Sequence, residues 1–304
     1  METDDFRPSD NVEDERAASG GRGFPGGGTG SLGIGTVIVL GILGWYFFGD
    51  PTAILNALNG GSLPTDQSGP SQPSAVDHSQ DGKVQFVKLV LGNTEDRWGE
   101  IFSAAGKTYH APKLIIFERA YQGGCGMAQA AMGPFYCPQD QRIYLDVSFF
   151  DDMQKKFDAC SDSKACQFSE AYVVAHEVGH HVQDEFGILP RVTQAQQAAS
   201  SKAQANALQV RIELQADCFA GLWANREKKN SEKTKLPFLE AGDVDQALQT
   251  ASAIGDDRLQ KEMQGYVVPD SFTHGTSEQR KRWFMNGFNS GEISACDTLS
   301  ANSL

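Results

Sequence analysis

The sequence predicts an α+β domain, with a small antiparallel sheet followed by helices, behind one membrane-spanning helix. Three observations carry the prediction. Short runs rich in β-branched and aromatic residues fall between 113 and 150. Apolar residues at three-to-four spacing dominate the chain after them, and strands before helices is an α+β layout. An uncharged run of 17 residues, "LGIGTVIVLGILGWYFF" at 32–48, stands ahead of both.

Residues 1–30 are acidic and then glycine-rich ("GGRGFPGGGTG"), which predicts a disordered cytoplasmic tail. The span at 31–49, at about 1.5 Å per residue, just covers a bilayer core. Trp45 and Tyr46 sit at its far end, where interfacial aromatics collect. A cleaved signal peptide would begin near Met1 and end on small residues, which this run does not do. A core helix would have structured neighbours. Arg7, Arg16 and Arg22 precede the run, and no Lys or Arg follows until Lys83. That asymmetry predicts a single pass with the N-terminus cytoplasmic and the folded part outside. Residues 50–82 are rich in Gly, Ser and Pro and read as a flexible linker.

The folded domain is expected over 83–299. "KVQFVKLVLGNTEDRWGEIFSAAG" has helical spacing, "KLIIFERA" (113–120) reads as a strand, and "GPFYCPQDQRIYLDVSFF" (133–150) as a hairpin turning at Pro138–Gln141. A helix around His176 follows, then a long one over 203–227. A third begins at "GDVDQALQTASAI", where Asp243 can cap and Gln246 stands three residues on. "THGTSEQRKRWF" opens the last, with Thr276 as cap and Gln279 completing the box.

The formal net charge of -13 repels phosphate backbones and argues against nucleic acid as a partner. The six cysteines are scattered singly, with no CxxC pair. An even, scattered set suits disulfides. Proximity pairs Cys125 with Cys137 and Cys160 with Cys166, leaving Cys218 for Cys296.

"AYVVAHEVGHHVQDEFG" at 171–187 holds three of the six histidines. On a helix His176 and His180 share a face and can both reach one ion, with Glu177 a step round, able to take a proton from water. His181 points away. A third histidine at the metzincin spacing is absent, Gln183 and Phe186 standing where a glycine and a histidine would be. Glu213 is the better third ligand. It stands four before Asp217 in a helix otherwise apolar around them (Leu208, Ile212, Ala216, Phe219, Trp223). Buried carboxylates there need compensation, which an ion and its histidines would provide. Glu213 would complete a two-His, one-Glu zinc site open to water, and Asp217 would fix the tautomer of a ligand histidine.

Together "AYVVAHEVGHHVQ", "ELQADCFAG", "GPFYCPQDQRIYLDVSFF", "AIGDDRLQ", "THGTSEQRKRWFMNGF" and the opening "SDNVEDERAASGG" resemble the neutral zinc metallopeptidase family of bacterial membrane-anchored proteins. The resemblance makes the membrane the bacterial inner membrane and the outside the periplasm, and it implies a zincin-like, gluzincin-type protease domain there that cleaves protein or peptide substrates. On that reading His176, His180 and Glu213 hold Zn²⁺ and Glu177 is the general base. Substrate would lie extended along a sheet edge from 133–147. His274, at a helix start, would donate to the oxyanion. Its "FTHGTSEQR" resembles the Thr-His-Pro segment of integral-membrane zinc proteases, whose downstream arginine matches Arg280, although Gly275 replaces the proline. The rival readings are a zinc-binding pseudoprotease that holds a partner, and an envelope protein whose histidine helix is only core.

Overall fold

The computed structural model of the chain describes residues 1–18, 81–157, 163–235, 238–240 and 242–304. Apolar residues at helical spacing (Val84, Val87, Val90, Leu91, Trp98, Ile101, Phe102) form the buried stripe of helix α1, Asp81–Ala104. It begins two residues ahead of the expected boundary. Strand β2 (Lys113–Phe117) follows, and its residues 114–117 are all buried. Alternation divides them between two cores. Leu114 and Ile116 face the large helical core, while Ile115 and Phe117 face a smaller cluster with Tyr144, Cys137 and Ala128.

Strands β5 (Phe135–Cys137) and β6 (Arg142–Asp146) form the expected antiparallel hairpin. The sheet as a whole is not antiparallel. Its order is β1 (Val12–Asp14), β2, β6, β5, and β2 runs parallel to β6, with Lys113 opposite Arg142 and Phe117 opposite Asp146. Strands β3 (Ala120–Gly123) and β4 (Gly126–Gln129) form a separate antiparallel pair. The remaining helices are α2 (Ser148–Phe157), α3 (Ser163–Glu185), α4 (Ile188–Gln197), α5 (Lys202–Thr234), α6 (Asp243–Ala253), α7 (Asp256–Gln264) and α8 (Ser277–Ser290). Thr276 and Gln279 make the expected capping box of α8. At α6 the cap is Gly242 instead, and Asp243 turns back to accept from the Glu240 N–H at 2.7 Å.

Strand β1 (Val12–Asp14) corrects the reading of the N-terminal tail. It pairs parallel with β2, Val12 opposite Leu114. Glu95 of α1 fastens the segment, accepting from Arg7, Ser9 and Asn11 at 2.8, 2.6 and 2.9 Å. The carbonyl of Arg7 lies 2.2 Å from where a Cβ on Gly92 would be. Residues 1–18 of the expected tail are therefore part of the fold; their acidity conceals a strand held by backbone pairing.

The expected membrane topology is corrected as well. Among the described residues no helix is long and apolar enough to cross a membrane. The 31–49 span lies outside the described residues, as do residues 19–30 and 50–80. The pairing of β1 with β2 sets residues 1–18 against the domain, and one crossing between them would part the two by a bilayer. A single-pass inner-membrane protein with a cytoplasmic N-terminus and a periplasmic domain does not accommodate that pairing.

Two expected disulfides are present, Cys125–Cys137 and Cys218–Cys296. Cys166 is disulfide-bonded too, and Cys160 lies outside the described residues.

Candidate metal centre

Helices α3 and α5 cross at small residues. A Cβ on Gly179 would stand 3.0 Å from the Ala216 carbonyl oxygen and 3.1 Å from its Cα, so the glycine lets the two backbones meet. One turn before the contact on each helix stand His176 and Glu213, and His180 follows Gly179. Nε2 of His176 lies 3.3 Å from Glu213 Oε2, and Nε2 of His180 lies 3.6 Å from the same oxygen. The three ligand atoms all fall within 4.8 Å of one another. A tetrahedral ion with ligands at about 2.0–2.1 Å needs them roughly 3.3–3.4 Å apart. The donor set fits zinc in its chemistry, and the two distances to Glu213 lie close to that spacing.

Each of the three side chains is held from behind. His176 Nδ1 donates to Asp217 Oδ1 at 2.9 Å. Asp217, fully buried, also takes the Tyr172 hydroxyl and two bonds of 2.8 Å from Arg280 Nε and Nη2. His180 Nδ1 lies 2.9 Å from Gln183 Oε1, and Gln183 Nε2 donates to the Ile212 carbonyl at 2.7 Å. Gln209 Nε2 donates to Glu213 Oε1 at 2.8 Å, leaving Oε2 to the histidines. Asp217 and Arg280 stand where the sequence expects support. Gln183 and Gln209 were not anticipated; their signal is spacing, three after His180 and four before Glu213.

The electrostatics suit a cation. Burial favours neutral groups throughout, yet the charges override it. His180 and His176 hold Glu213 well below the usual carboxylate range against that burial. Arg280 and His176 do the same for Asp217. Burial depresses His176, but Asp217 and Glu213 outweigh it and raise the ring to about 10. His180 is raised for the same reason, by Glu213. In the metal-free site the two rings thus hold protons beside Glu213, at the point where a cation would take their place.

Glu177 behaves differently. Burial pushes its carboxyl up, against the pull of His180 and His176. Its Oε2 is buried with no hydrogen-bond partner. Orphaned buried carboxylate oxygens are costly, so this one points to a water or substrate proton. His181 faces away as expected, between the rings of Tyr109 and Tyr136, with Nε2 2.6 Å from the His110 carbonyl.

His274 lies on the approach to α8. Its side chain is 28% exposed, and the charge of Glu213 acts on it. Asp256, which the sequence reading passed over inside "AIGDDRLQ", anchors this segment. Its Oδ2 accepts from the backbone N–H of Thr273, His274 and Gly275 at 2.7, 2.6 and 3.0 Å. Gly275 has φ +88°, open to glycine and closed to proline, which also has no N–H to give. The departure from Thr-His-Pro is thus required by this loop.

Fold and site define a class: an α+β domain whose long helices present two histidines and a glutamate around one cation position. Over residues 1–299 the chain matches the family described as "Putative neutral zinc metallopeptidase", and it belongs to that family. It is 45% identical over 297 residues to the protein YpfJ of Escherichia coli (strain K12), covering 96% of either chain. It is 39% identical over 226 residues to the protein Rv2575 of Mycobacterium tuberculosis (strain ATCC 25618 / H37Rv), covering 73% of this chain and 72% of that one. Both carry the name "Uncharacterized protein". No solved structure matches the chain.

Proposed function

We propose that the chain is a zinc-dependent endopeptidase with a zincin-like catalytic domain, acting on protein or peptide substrates. The observation that carries this reading is the unpartnered Oε2 of buried Glu177 beside three converging ligand atoms. A purely structural metal site has no use for it.

His176, His180 and Glu213 hold Zn²⁺ in this reading, and what zinc supplies there is Lewis acidity towards water and the scissile carbonyl. Asp217 and Gln183 occupy the Nδ1 atoms and leave both Nε2 lone pairs facing the ion. Arg280 neutralises Asp217 and locks its orientation. Glu177 takes the proton of the attacking water and passes it to the leaving amine. Its raised pKa moves it towards the operating range of a base that must also act as an acid. His274 donates to the oxyanion that forms on the carbonyl. Among the described residues strand β5 closes one side of the sheet, with β6 as its one neighbour there. The Tyr136 amide acts on Glu177, so this edge adjoins the base. An extended peptide can add to it through main-chain hydrogen bonds.

The test joins elemental analysis to peptide-library digestion. We expect close to one zinc per chain and cleavage by the wild type. Glu177→Gln should keep the metal and fold while losing hydrolysis. Equal cleavage by that variant would remove Glu177 as the base, and a metal-free wild type would remove the site.

A further inference from the structure

Asp256 does more than tie a loop. It is the first residue of α7 and only 3% exposed. One of its oxygens, Oδ2, takes three successive amides, those of 273 to 275, and its own N–H returns to the Gly275 carbonyl at 3.0 Å. That set already satisfies a structural anchor. The second oxygen, Oδ1, stands 3.3 Å from His274 Nδ1. The groups facing this ring from the surrounding elements are Asp256 on α7, Glu213 on α5, Arg280 on α8 and the Thr273 hydroxyl, 3.2 Å from the same Nδ1. With zinc bound, the charge of Glu213 goes to the ion, and Asp256 is the carboxylate that serves the ring. Among the described residues His274 Nε2 has no hydrogen-bond partner, so it is the nitrogen left for substrate.

A neutral ring with its proton on Nδ1 would give Asp256 a bond and leave Nε2 unable to donate. To serve both sides the ring must carry both protons. We propose that Asp256 is the positioning residue that keeps His274 an imidazolium, with Nδ1–H on Asp256 and Nε2–H towards the substrate oxyanion. The inference rests on the protease reading and assigns the charge state of its donor. His274 keeps its protons through the cycle; the proton of the attacking water travels by Glu177. A charge-assisted donor is roughly twice as strong as a neutral one, and that difference is what Asp256 provides.

Asp256→Asn separates the two duties. The asparagine oxygen can still take the three amides, but its NH₂ then meets Nδ1, which must accept and so lose its proton. Ring ¹⁵N spectra of the zinc-loaded, histidine-labelled full chain read the outcome. The wild type should show both His274 nitrogens protonated at pH 7, and Asp256→Asn a neutral ring with Nε2–H. Peptide kcat should fall about tenfold with KM little changed, between wild type and the 10²–10³-fold loss of His274→Ala. The alkaline limb of kcat should move down by about one pH unit or more. A wild-type ring that is neutral at pH 7 overturns the proposal without any variant, as does an imidazolium that persists in folded Asp256→Asn. If no preparation cleaves peptide, the protease reading fails, while the spectra still decide the coupling of Asp256 to His274.

Discussion

Replacing Gly287 by alanine should damage the metal centre from two helical turns away. Helices α5 and α8 cross backbone to backbone. A Cβ on Gly287 would stand 1.9 Å from the Cys218 carbonyl oxygen, and one on Gly221 would stand 2.0 Å from that of Phe284. Real Cβ atoms essentially never come within 3.0 Å of such an atom, so the helices must part by about 1 Å. Arg280 lies seven residues before Gly287 on the same face of α8, and its two bonds to Asp217 are 2.8 Å long. A shift of about 1 Å takes them past hydrogen-bonding reach. Overpacking costs about 1–3 kcal/mol. Parting a buried ion pair costs about 3–5 kcal/mol. The helix propensity of alanine returns about 1 kcal/mol. The net loss should be at least about 3 kcal/mol in urea unfolding, with zinc affinity down about 10–100-fold in competition with a chelator. Gly99→Ala is the control. Its Cβ meets nothing within 4 Å, so the same change in α1 should stabilise by about 0.5–1 kcal/mol. Equal stabilisation by both variants would refute the tight crossing and its link to Asp217.

Asp217→Asn should lower zinc affinity about 10–100-fold and destabilise by about 3–5 kcal/mol, because Arg280 is left buried beside a neutral partner; chelator competition and urea unfolding measure both. Removing Cys218–Cys296 by paired alanines, a link across 78 residues, should cost roughly 4–5 kcal/mol by chain entropy, read as a lowered Tm. The metal-free domain should also show two pH limits in thermal scans. Asp217 and Glu213 have folded pKa values below their unfolded ones, so their stabilisation is present above about pH 4 and lost as pH falls. His176 is raised from 6.5 to about 10, so its stabilisation is complete below about 6.5 and lost as pH rises towards 10. Zinc replaces that proton, so the Tm gain on zinc loading should grow between pH 6.5 and 10; a constant gain would contradict the raised His176.

What could be read from the sequence was whatever a local period carries. The i, i+4 spacing of His176 and His180, the paired carboxylates of Glu213 and Asp217, the β5–β6 hairpin and the capping box at Thr276 all depend on residues a few positions apart. Pairing β1 with β2 depends on backbone groups a hundred residues apart in sequence, and three residues of "VED" give no alternation to detect. The parallel β2–β6 pairing was hidden for a related reason: strand propensity says nothing of direction. Asp256, Gln183 and Gln209 are polar residues in polar-looking segments. Only the helix crossings reveal that Gln183 and Asp256 are buried, or what all three face. Asp243 carried a genuine capping pattern, and the Glu240 amide claimed its side chain instead.

The orientation of His180 is reinforced from the far end of the chain. Backbone carbonyls can only accept. The carbonyl of Cys296 therefore compels Gln215 to offer it the NH₂ of its amide, at 2.9 Å. The Gln215 oxygen is then turned to Gln183, whose own NH₂ meets it at 3.1 Å. Gln183 has only its oxygen left for the imidazole, which must carry its proton on Nδ1. Three bonds run in one sense, like a row of arrows, and reversing them would turn amide oxygens to the Cys296 and Ile212 carbonyls and leave both carbonyls without a donor. A turn pinned by a disulfide thus acts as a compass for a lone pair on another helix. Loosening that turn would free the Gln215 amide to flip and leave the Ile212 carbonyl to hold the Gln183 amide, and with it the His180 lone pair, in place.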